Sequence, residues 1–177
     1  AHGKVRLVQE RLDVARMART VSEDRRADLE ESGVTLEVEA PETPVWVQGD
    51  ATRLIQTLNN LLDNASKYAG EGAHIRVWLR EHGGGAELCV EDDGPGMSAE
   101  LRERACDRLV RGEAHRGTPG SGLGLSVVRA IALHHGGAPG PAGRTRSAEW
   151  GQTLARAGYV VVQPSRVVPA DVTPLLP

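Results

Sequence analysis

The sequence has no phenylalanine, and aromatic residues make up only 3% of its 177 positions. The core must therefore consist of Val, Leu, Ile and Ala. Because one domain has roughly 150 residues, the length of this chain predicts a single domain. Two cysteines are too few for a disulfide framework or a cysteine-based zinc site, and they fit a reducing compartment. No run of ~18 apolar residues occurs, so we expect no membrane contact by this chain.

The sequence also lacks a large excess of charge of either sign, because it has 21 Lys and Arg and 24 Asp and Glu, for a net charge of −3. This balance excludes a generically basic nucleic-acid binder. A hydrophobic content of 40% is too high for a disordered chain. The chain has neither an initiator Met nor a signal peptide, which indicates a fragment or a processed chain. Its only lysines are Lys4 and Lys67.

Hydrophobic periodicity and turn residues predict a chain of mixed helices and strands. Asp50 is a suitable N-cap for the longest amphipathic helix, and three glycines at 83–85 join the two strands of a hairpin. The last fifteen residues carry four prolines and are expected to be loosely ordered. We predict helices over residues 13–31, 51–69, 98–104, 123–134 and 148–157, and strands over residues 5–12, 34–38, 45–47, 74–80, 87–91 and 158–162.

Three polar side chains share one face of the predicted helix 51–69. Asn60, Asn64 and Lys67 are spaced i, i+4 and i+7, which aligns them along the helix. Two carboxamides can supply oxygen ligands to a hard cation such as Mg²⁺, and a lysine one turn further can meet a phosphate. A solvated polar face is the alternative interpretation, although asparagine is a poor helix former.

Two glycine-rich motifs follow. Residues 92–96, Asp-Asp-Gly-Pro-Gly, come directly after an apolar strand, where a carboxylate can accept a hydrogen bond from an exocyclic amino group. Residues 120–125, Gly-Ser-Gly-Leu-Gly-Leu, open a helix, whose first N–H groups can bind phosphate oxygens. Each motif alone is equally compatible with an ordinary turn or a flexible loop.

In this order, the three motifs resemble the catalytic ATP-binding domain of bacterial sensor histidine kinases, within the superfamily of gyrase, chaperone, histidine kinase and mismatch-repair ATPases. Residues 60–68 are similar to that family's N box, residues 92–97 to its first glycine box and residues 120–125 to its second. The resemblance implies an α/β fold of the Bergerat type, an α+β sandwich in which a mixed sheet has its helices packed on one face.

The resemblance also implies ATP and Mg²⁺ as cofactors and assigns roles to residues of the helix 51–69. Asn64 corresponds to the principal Mg²⁺ ligand, and Asn60 to a second group at the metal or the phosphates. Lys67 corresponds to a phosphate contact, and Tyr68 to a residue that lines the nucleotide site. Asn60, Lys67 and Arg111 form the catalytic set that the resemblance implies.

The two glycine boxes correspond to the parts of the family's site that hold the base and the triphosphate. Asp92 corresponds to the acceptor of the adenine amino group, which selects ATP over GTP, and Gly94 and Gly96 let the chain approach the base. The residues implied to wrap the triphosphate are Gly120, Gly122, Leu123 and Gly124.

The chain departs from the family pattern in two places. The family's box of aromatic residues between the glycine boxes is replaced by a segment with Cys106 and Leu109, although Arg111 is retained. Residues 138–177 do not resemble the two strands with which the family usually ends. We therefore expect an ATP-binding domain over residues 1–137 and an atypical, partly disordered C-terminal segment over residues 138–177.

The resemblance implies that the domain donates the γ-phosphoryl group of Mg-ATP to a histidine on a separate dimerisation domain, in a two-component kinase that signals to a response regulator. It implies the cytoplasmic portion of a membrane-anchored parent. Related ATP hydrolases and anti-sigma serine kinases generally have Glu at the position of Asn60, where it accepts a proton from water or a hydroxyl group. A carboxamide cannot accept that proton, so Asn60 favours the histidine kinase interpretation. A degenerate nucleotide-binding or interaction module is the third interpretation, favoured by the altered aromatic box.

None of the six histidines lies in a segment that resembles the family's phosphorylated histidine motif. We therefore expect that the chain does not phosphorylate itself. His134 and His135 are adjacent on a predicted helix and point apart, so we expect them to cap the helix end rather than to bind a metal.

Overall fold

The structure is a computed structural model that describes residues 8–82, 85–95, 124–135, 139–140 and 156–162. Strands and helices alternate through the first half of the chain, as the periodicity predicts. In chain order the elements are β1 (Glu10–Asp13), α1 (Val14–Glu31), β2 (Thr35–Glu39), β3 (Trp46–Gly49), α2 (Ala51–Ala69), β4 (His74–His82), β5 (Gly85–Asp92), α3 (Gly124–His134), β6 (Pro139–Gly140) and β7 (Arg156–Val162).

Five of these strands form one mixed sheet in the order β2-β4-β5-β7-β6. β2 runs parallel to β4, and the other neighbouring strands run antiparallel. β1 and β3 form a separate two-stranded antiparallel sheet. The predicted α/β class with a mixed sheet is confirmed.

The core lies between one face of the large sheet and the three helices. Val77 pairs with Val90, and Leu79 with Leu88, so that one set of alternating side chains faces the helices. α1 lies beside β2, α2 lies over β4, β5 and β7, and α3 contacts β6 and β7. This arrangement places α2 at the centre of the core.

Two aspartates begin the long helices. Asp13 caps α1 by accepting from the amides of Ala15 and Arg16, and Asp50 caps α2 by accepting from the Arg53 amide at 3.1 Å. Gly33 ends α1 with a φ of 75°, a conformation that favours glycine. The predicted bounds of α2 and the role of Asp50 as its N-cap are confirmed.

Two strands lie in the C-terminal segment, whose sequence does not resemble the family's usual ending. β6 and β7 lie beyond residue 137, and both pair with the large sheet. The predicted strand 158–162 lies within β7, which pairs with β5, whereas no sequence pattern predicts β6. The division of the chain at residue 137 stays a prediction.

Other differences are smaller. β1 begins at Glu10, later than predicted, and β7 begins at Arg156, where the end of a helix was expected. The predicted helix 98–104 and most of the predicted helix 148–157 lie outside the described residues. Among the described residues, no helix combines the length and the apolar character that crossing a bilayer requires.

Candidate functional site

α2 carries four of the predicted site residues along one flank. Its leucine stripe is fully buried, with Leu58, Leu61 and Leu62 at 0% exposure, and this burial fixes the rotation of the helix. Asn60 and Asn64 are consequently half-buried at the edge of the core. Tyr68 is also half-buried, whereas Lys67 is exposed in the last turn.

The end of β5 presents a buried carboxylate to the same region. Side chains alternate along the strand, so Asp92 faces the helices like Val90 and Leu88, and it is only 7% exposed. Its Oδ1 accepts a hydrogen bond from the Gly94 amide at 3.0 Å. Within the part of the chain that the structure describes, Asp92 makes no other hydrogen bond, so Oδ2 is available to a ligand.

Asp93 has a different role from its neighbour. Its Oδ1 accepts from the His74 amide at 2.8 Å, and its own amide donates to the His74 carbonyl at 3.2 Å. Both bonds fasten the turn after β5 to the start of β4. Asp93 is therefore a structural residue, and Asp92 is the carboxylate that is left for chemistry.

Burial has a marked effect on the Asp92 carboxyl group. Removal from water raises its pKa to about 6, and the nearby charge of Asp93 acts in the same direction, whereas the hydrogen bond from the Gly94 amide lowers it. The group is still mainly ionised at neutral pH. It is then a buried anion that gains from any donor a ligand brings to it.

Gly94 packs directly against the C-terminal end of α2. A Cβ at this position would lie 2.5 Å from the Cα of Ala69 and 2.9 Å from Oδ1 of Asp92. No side chain fits between the turn and the helix backbone. The sequence predicts that Gly94 lets the chain approach a ligand, and the structure adds a close approach to α2 that requires glycine.

Gly124, in the second glycine motif, lies beside α2 at Asn64, five residues before the Ala69 position that Gly94 contacts. A Cβ on Gly124, the first residue of α3, would lie 3.5 Å from Nδ2 and 3.7 Å from Oδ1 of Asn64. Contacts with the two glycines are thus separated by about 7.5 Å along the helix axis. α2 brings Asn64, Gly124, Gly94 and Asp92 into one region, as the sequence motifs predict.

The chain matches a known family over most of this region. Residues 49–155, more than half of the chain, match the family of histidine kinase-, DNA gyrase B-, and HSP90-like ATPases. The chain belongs to this family. The match includes α2, β5 and α3, the elements that form the site.

Its relatives are sensor kinases. The signal transduction histidine-protein kinase/phosphatase MprB of Mycobacterium avium (strain 104) is 43% identical over 96 residues, which cover 54% of this chain and 18% of that protein. MprB of Mycolicibacterium vanbaalenii is 39% identical over 132 residues, or 72% of this chain and 26% of that protein. The chain spans well under half the length of these curated relatives.

Solved structures lead to the same assignment. A mycobacterial sensor histidine kinase MprB structure superposes with a TM-score of 0.67 at 31% identity, covering 89% of this chain and 99% of that one. Full-length ShkA in complex with AMPPNP gives 0.66 at 27% identity, covering 89% of this chain and 30% of that one. The chain carries the catalytic ATP-binding domain of a sensor histidine kinase, and the predicted resemblance is confirmed.

Several predicted site residues of this kinase domain are not tested by the geometry. Gly96, Arg111, Gly120, Gly122 and Leu123 lie outside the described residues. The phosphate contact of Lys67 also stays a prediction, because a lysine in the last turn of α2 is favoured there by the helix dipole alone. The roles of Asn60 and Tyr68 likewise stay predictions.

The sequence analysis missed one connection in the kinase domain. His135 was expected to cap its own helix, and its Nδ1 does lie 2.8 Å from the Ile131 carbonyl oxygen. Its Nε2 also accepts from the Asp50 amide at 2.9 Å. Asp50 and His135 are 85 positions apart, so no local sequence pattern predicts their contact. Gly49, directly before the N-cap, is the local sign of close packing at this point.

Substitution of the two glycines that contact α2 is expected to affect stability to different extents. We expect Gly94→Ala to lower the free energy of unfolding by about 1–3 kcal/mol, because its Cβ has to displace helix backbone. Gly124→Ala is the matched control. Its Cβ would make only an ordinary contact with Asn64, so we expect its stability to stay within about 1 kcal/mol of the wild type. Urea unfolding measures both, and equal stability of the two variants would contradict the close packing of Gly94.

Proposed function

We propose that this domain binds Mg-ATP between α2, the end of β5 and the start of α3, and donates the γ-phosphoryl group to a histidine of a separate dimerisation domain. One observation carries the proposal: Asp92 is a buried carboxylate with one oxygen available to a ligand. Gly94 places it next to the C-terminal end of α2, the helix that also carries Asn60 and Asn64. A buried anion with a single hydrogen bond is costly, and a donor on a ligand would lower that cost.

Adenine is the base that fits this carboxylate. The exocyclic amino group of adenine is a donor, whereas guanine has a carbonyl oxygen at the equivalent position. An ionised Asp92 would attract the first and repel the second. The half-buried Tyr68, on the turn of α2 next to Ala69, is suitably placed to line the same site.

Asn64 fits a role at the metal and the phosphates. Its Nδ2 is buried and has no hydrogen-bond partner among the described residues, although Gly124 lies beside it. Rotation of the side-chain amide that exchanges Nδ2 and Oδ1 brings the oxygen to this position, and amide oxygens are suitable ligands for Mg²⁺. Asn60, one turn earlier, is half-buried on the same flank. A bound Mg²⁺ would neutralise charge on the phosphates, while the two asparagines orient them.

Transfer rather than hydrolysis is supported by the residue at position 60. A general base for an attacking water has to accept a proton, and the Asn60 amide does not do so at neutral pH. ShkA was solved with AMPPNP, an ATP analogue, and MprB is named a histidine-protein kinase/phosphatase.

The partners follow from this chemistry. The acceptor is a histidine on a dimerisation domain, and a response regulator receives the phosphoryl group next. We place the domain on the cytoplasmic side of a membrane-anchored parent, where ATP is available. Residues 96–123, which include Arg111 and the first four residues of the second glycine box, would complete the phosphate site.

Asp92→Asn tests the adenine contact. We expect ATP affinity to fall about ten- to a hundredfold, because a charge-assisted hydrogen bond is lost. In the wild type, affinity falls as the pH drops through about 6, since protonation removes the anion. The variant lacks this pH dependence. Calorimetric titration with ATP and GTP from pH 5 to pH 8 measures both effects.

A stability measurement separates this loss from misfolding. Folding raises the pKa of Asp92, so the ionised carboxylate destabilises the native state. This effect is fully present above about pH 6 and disappears below the pKa that Asp92 has in the unfolded chain. Asp92→Asn should therefore be more stable than the wild type at pH 8, by on the order of 2–3 kcal/mol. Asp24→Asn, on the exposed face of α1, is the matched control. Unchanged ATP affinity in Asp92→Asn would overturn the site assignment.

Asn64→Ala tests the metal. We expect this variant to weaken Mg-ATP binding about tenfold and to have little effect on ATP in the presence of a chelator, because only the first state uses the amide oxygen. Asn59→Ala, on another face of the same helix, should bind like the wild type in both conditions. Equal losses with and without Mg²⁺ would show that Asn64 does not act at the cation.

The transfer step is tested with radiolabelled ATP. We expect acid-labile, base-stable phosphate on a separately supplied dimerisation domain of the parent kinase, and no stoichiometric label on the chain itself. A histidine elsewhere on the same rigid domain is poorly placed for in-line attack, which requires an approach of about 3–3.5 Å. Stoichiometric labelling of a histidine in this chain alone would refute the division of roles.

A further inference from the structure

α2 and α3 contact each other at both ends. At one end, Gly124 at the start of α3 lies beside Asn64. At the other, His135 directly after α3 binds the amide of Asp50 directly before α2. The helices are therefore antiparallel, and the second contact lies about 20 Å from the first along α2. The nucleotide residues lie at one end of the pair, and the Asp50–His135 bond closes the other.

The imidazole of His135 has one protonation state that satisfies both of its contacts. The Ile131 carbonyl can only accept, so Nδ1 carries the proton and donates to it at 2.8 Å. Nε2 is then unprotonated and accepts from the Asp50 amide at 2.9 Å. The side chain is 2% exposed, so water does not replace either bond easily.

The surroundings of the ring are adapted to it. A Cβ on Gly49 would lie 3.2 Å from Cδ2 and 3.4 Å from Nε2 of His135, and 2.9 Å from Cδ1 of Leu54. Glycine at this position leaves the space that the ring occupies. This packing is independent of the hydrogen bonds, and both indicate that the chain is built around a histidine here.

Asp50 connects this contact to two more parts of the chain. Its Oδ1 accepts from the Arg53 amide at 3.1 Å, and its Oδ2 accepts from the Val8 amide at 3.0 Å. The hydrogen bond from the Val8 amide, with the amide and the charge of Arg53, holds the pKa of Asp50 below its usual value against the opposing effect of burial. The start of α2, the end of α3 and the segment before β1 therefore meet at Asp50.

We propose that His135 is a positioning residue for the nucleotide site: by joining α3 to the N-terminus of α2, it fixes the placement of the second glycine motif against Asn64. The inference rests on the proposed function, because it concerns the affinity of that site for Mg-ATP. His135 itself lies at the far end of both helices and contacts none of the site residues that the structure describes. Its effect passes through the rigid helix pair.

Two substitutions separate this role from simple helix capping. In His135→Gln the amide oxygen reaches as far along the side chain as Nε2, so the acceptor for the Asp50 amide is kept. In His135→Asn the amide reaches only as far as Nδ1, so the donor to Ile131 is kept and the bond to Asp50 is lost. A capping role predicts that Asn is tolerated and Gln is not. Positioning of α3 predicts the reverse.

The experiment is calorimetric titration of the full chain and both variants with Mg-ATP, at a temperature where circular dichroism shows each to be folded. We expect His135→Gln to bind within about threefold of the wild type and His135→Asn to bind about tenfold more weakly. Wild-type affinity in a folded His135→Asn overturns the inference, as does an equal loss in both variants. A wild-type chain that does not bind Mg-ATP contradicts the proposed function itself.

A measurement on the wild type decides the matter even if a variant does not fold. Coupling is reciprocal, so Mg-ATP must strengthen the Asp50–His135 bond if that bond strengthens Mg-ATP binding. We expect saturating Mg-ATP to slow hydrogen exchange of the Asp50 amide more than that of the Val34 amide, which donates to the Leu29 carbonyl at the opposite edge of the sheet. An equal effect at both amides overturns the inference.

Discussion

Burial of the leucine face of α2 against the central strands is the interaction on which the rest of the structure depends. Leu58, Leu61 and Leu62 are all at 0% exposure, and truncation of any of them would remove a side chain that typically contributes several kcal/mol. Once this face is buried, the rotation of the helix is fixed. Asn60 and Asn64 are then held half-buried at the edge of the core, which suits the role proposed for them in Mg-ATP binding.

The same helix organises the chain along its length. Asp50 at its start binds His135, Asn64 lies beside Gly124, and Ala69 at its end contacts Gly94. Each of these contacts joins α2 to a part of the chain that is distant in sequence. The packing of one helix therefore positions the whole candidate site, which suits the in-line transfer proposed for it.

The role proposed for Asp92 is opposed to the stability of this domain. The carboxylate faces the apolar side of the sheet because it follows Leu88 and Val90 in the strand alternation. Burial raises its pKa to about 6, so its ionised form is a destabilising feature of the empty domain. The same desolvation would strengthen the proposed hydrogen bond from a base, because no water competes for the anion.

The sequence by itself determined the long elements, because the leucine spacing of α2, its Asp50 cap and the β4–β5 hairpin follow from periodicity and capping, which are properties of neighbouring residues. Its motifs, through their family resemblance, also predicted Asn64, Asp92, Gly94 and Gly124 as site residues, and that set stays a prediction. Only the tertiary structure decided that β6 and β7 complete the sheet, that Gly94 must be glycine because of Ala69, and that His135 binds Asp50. These features depend on contacts between distant segments, where main-chain pairing and close packing leave no periodic signal in either partner.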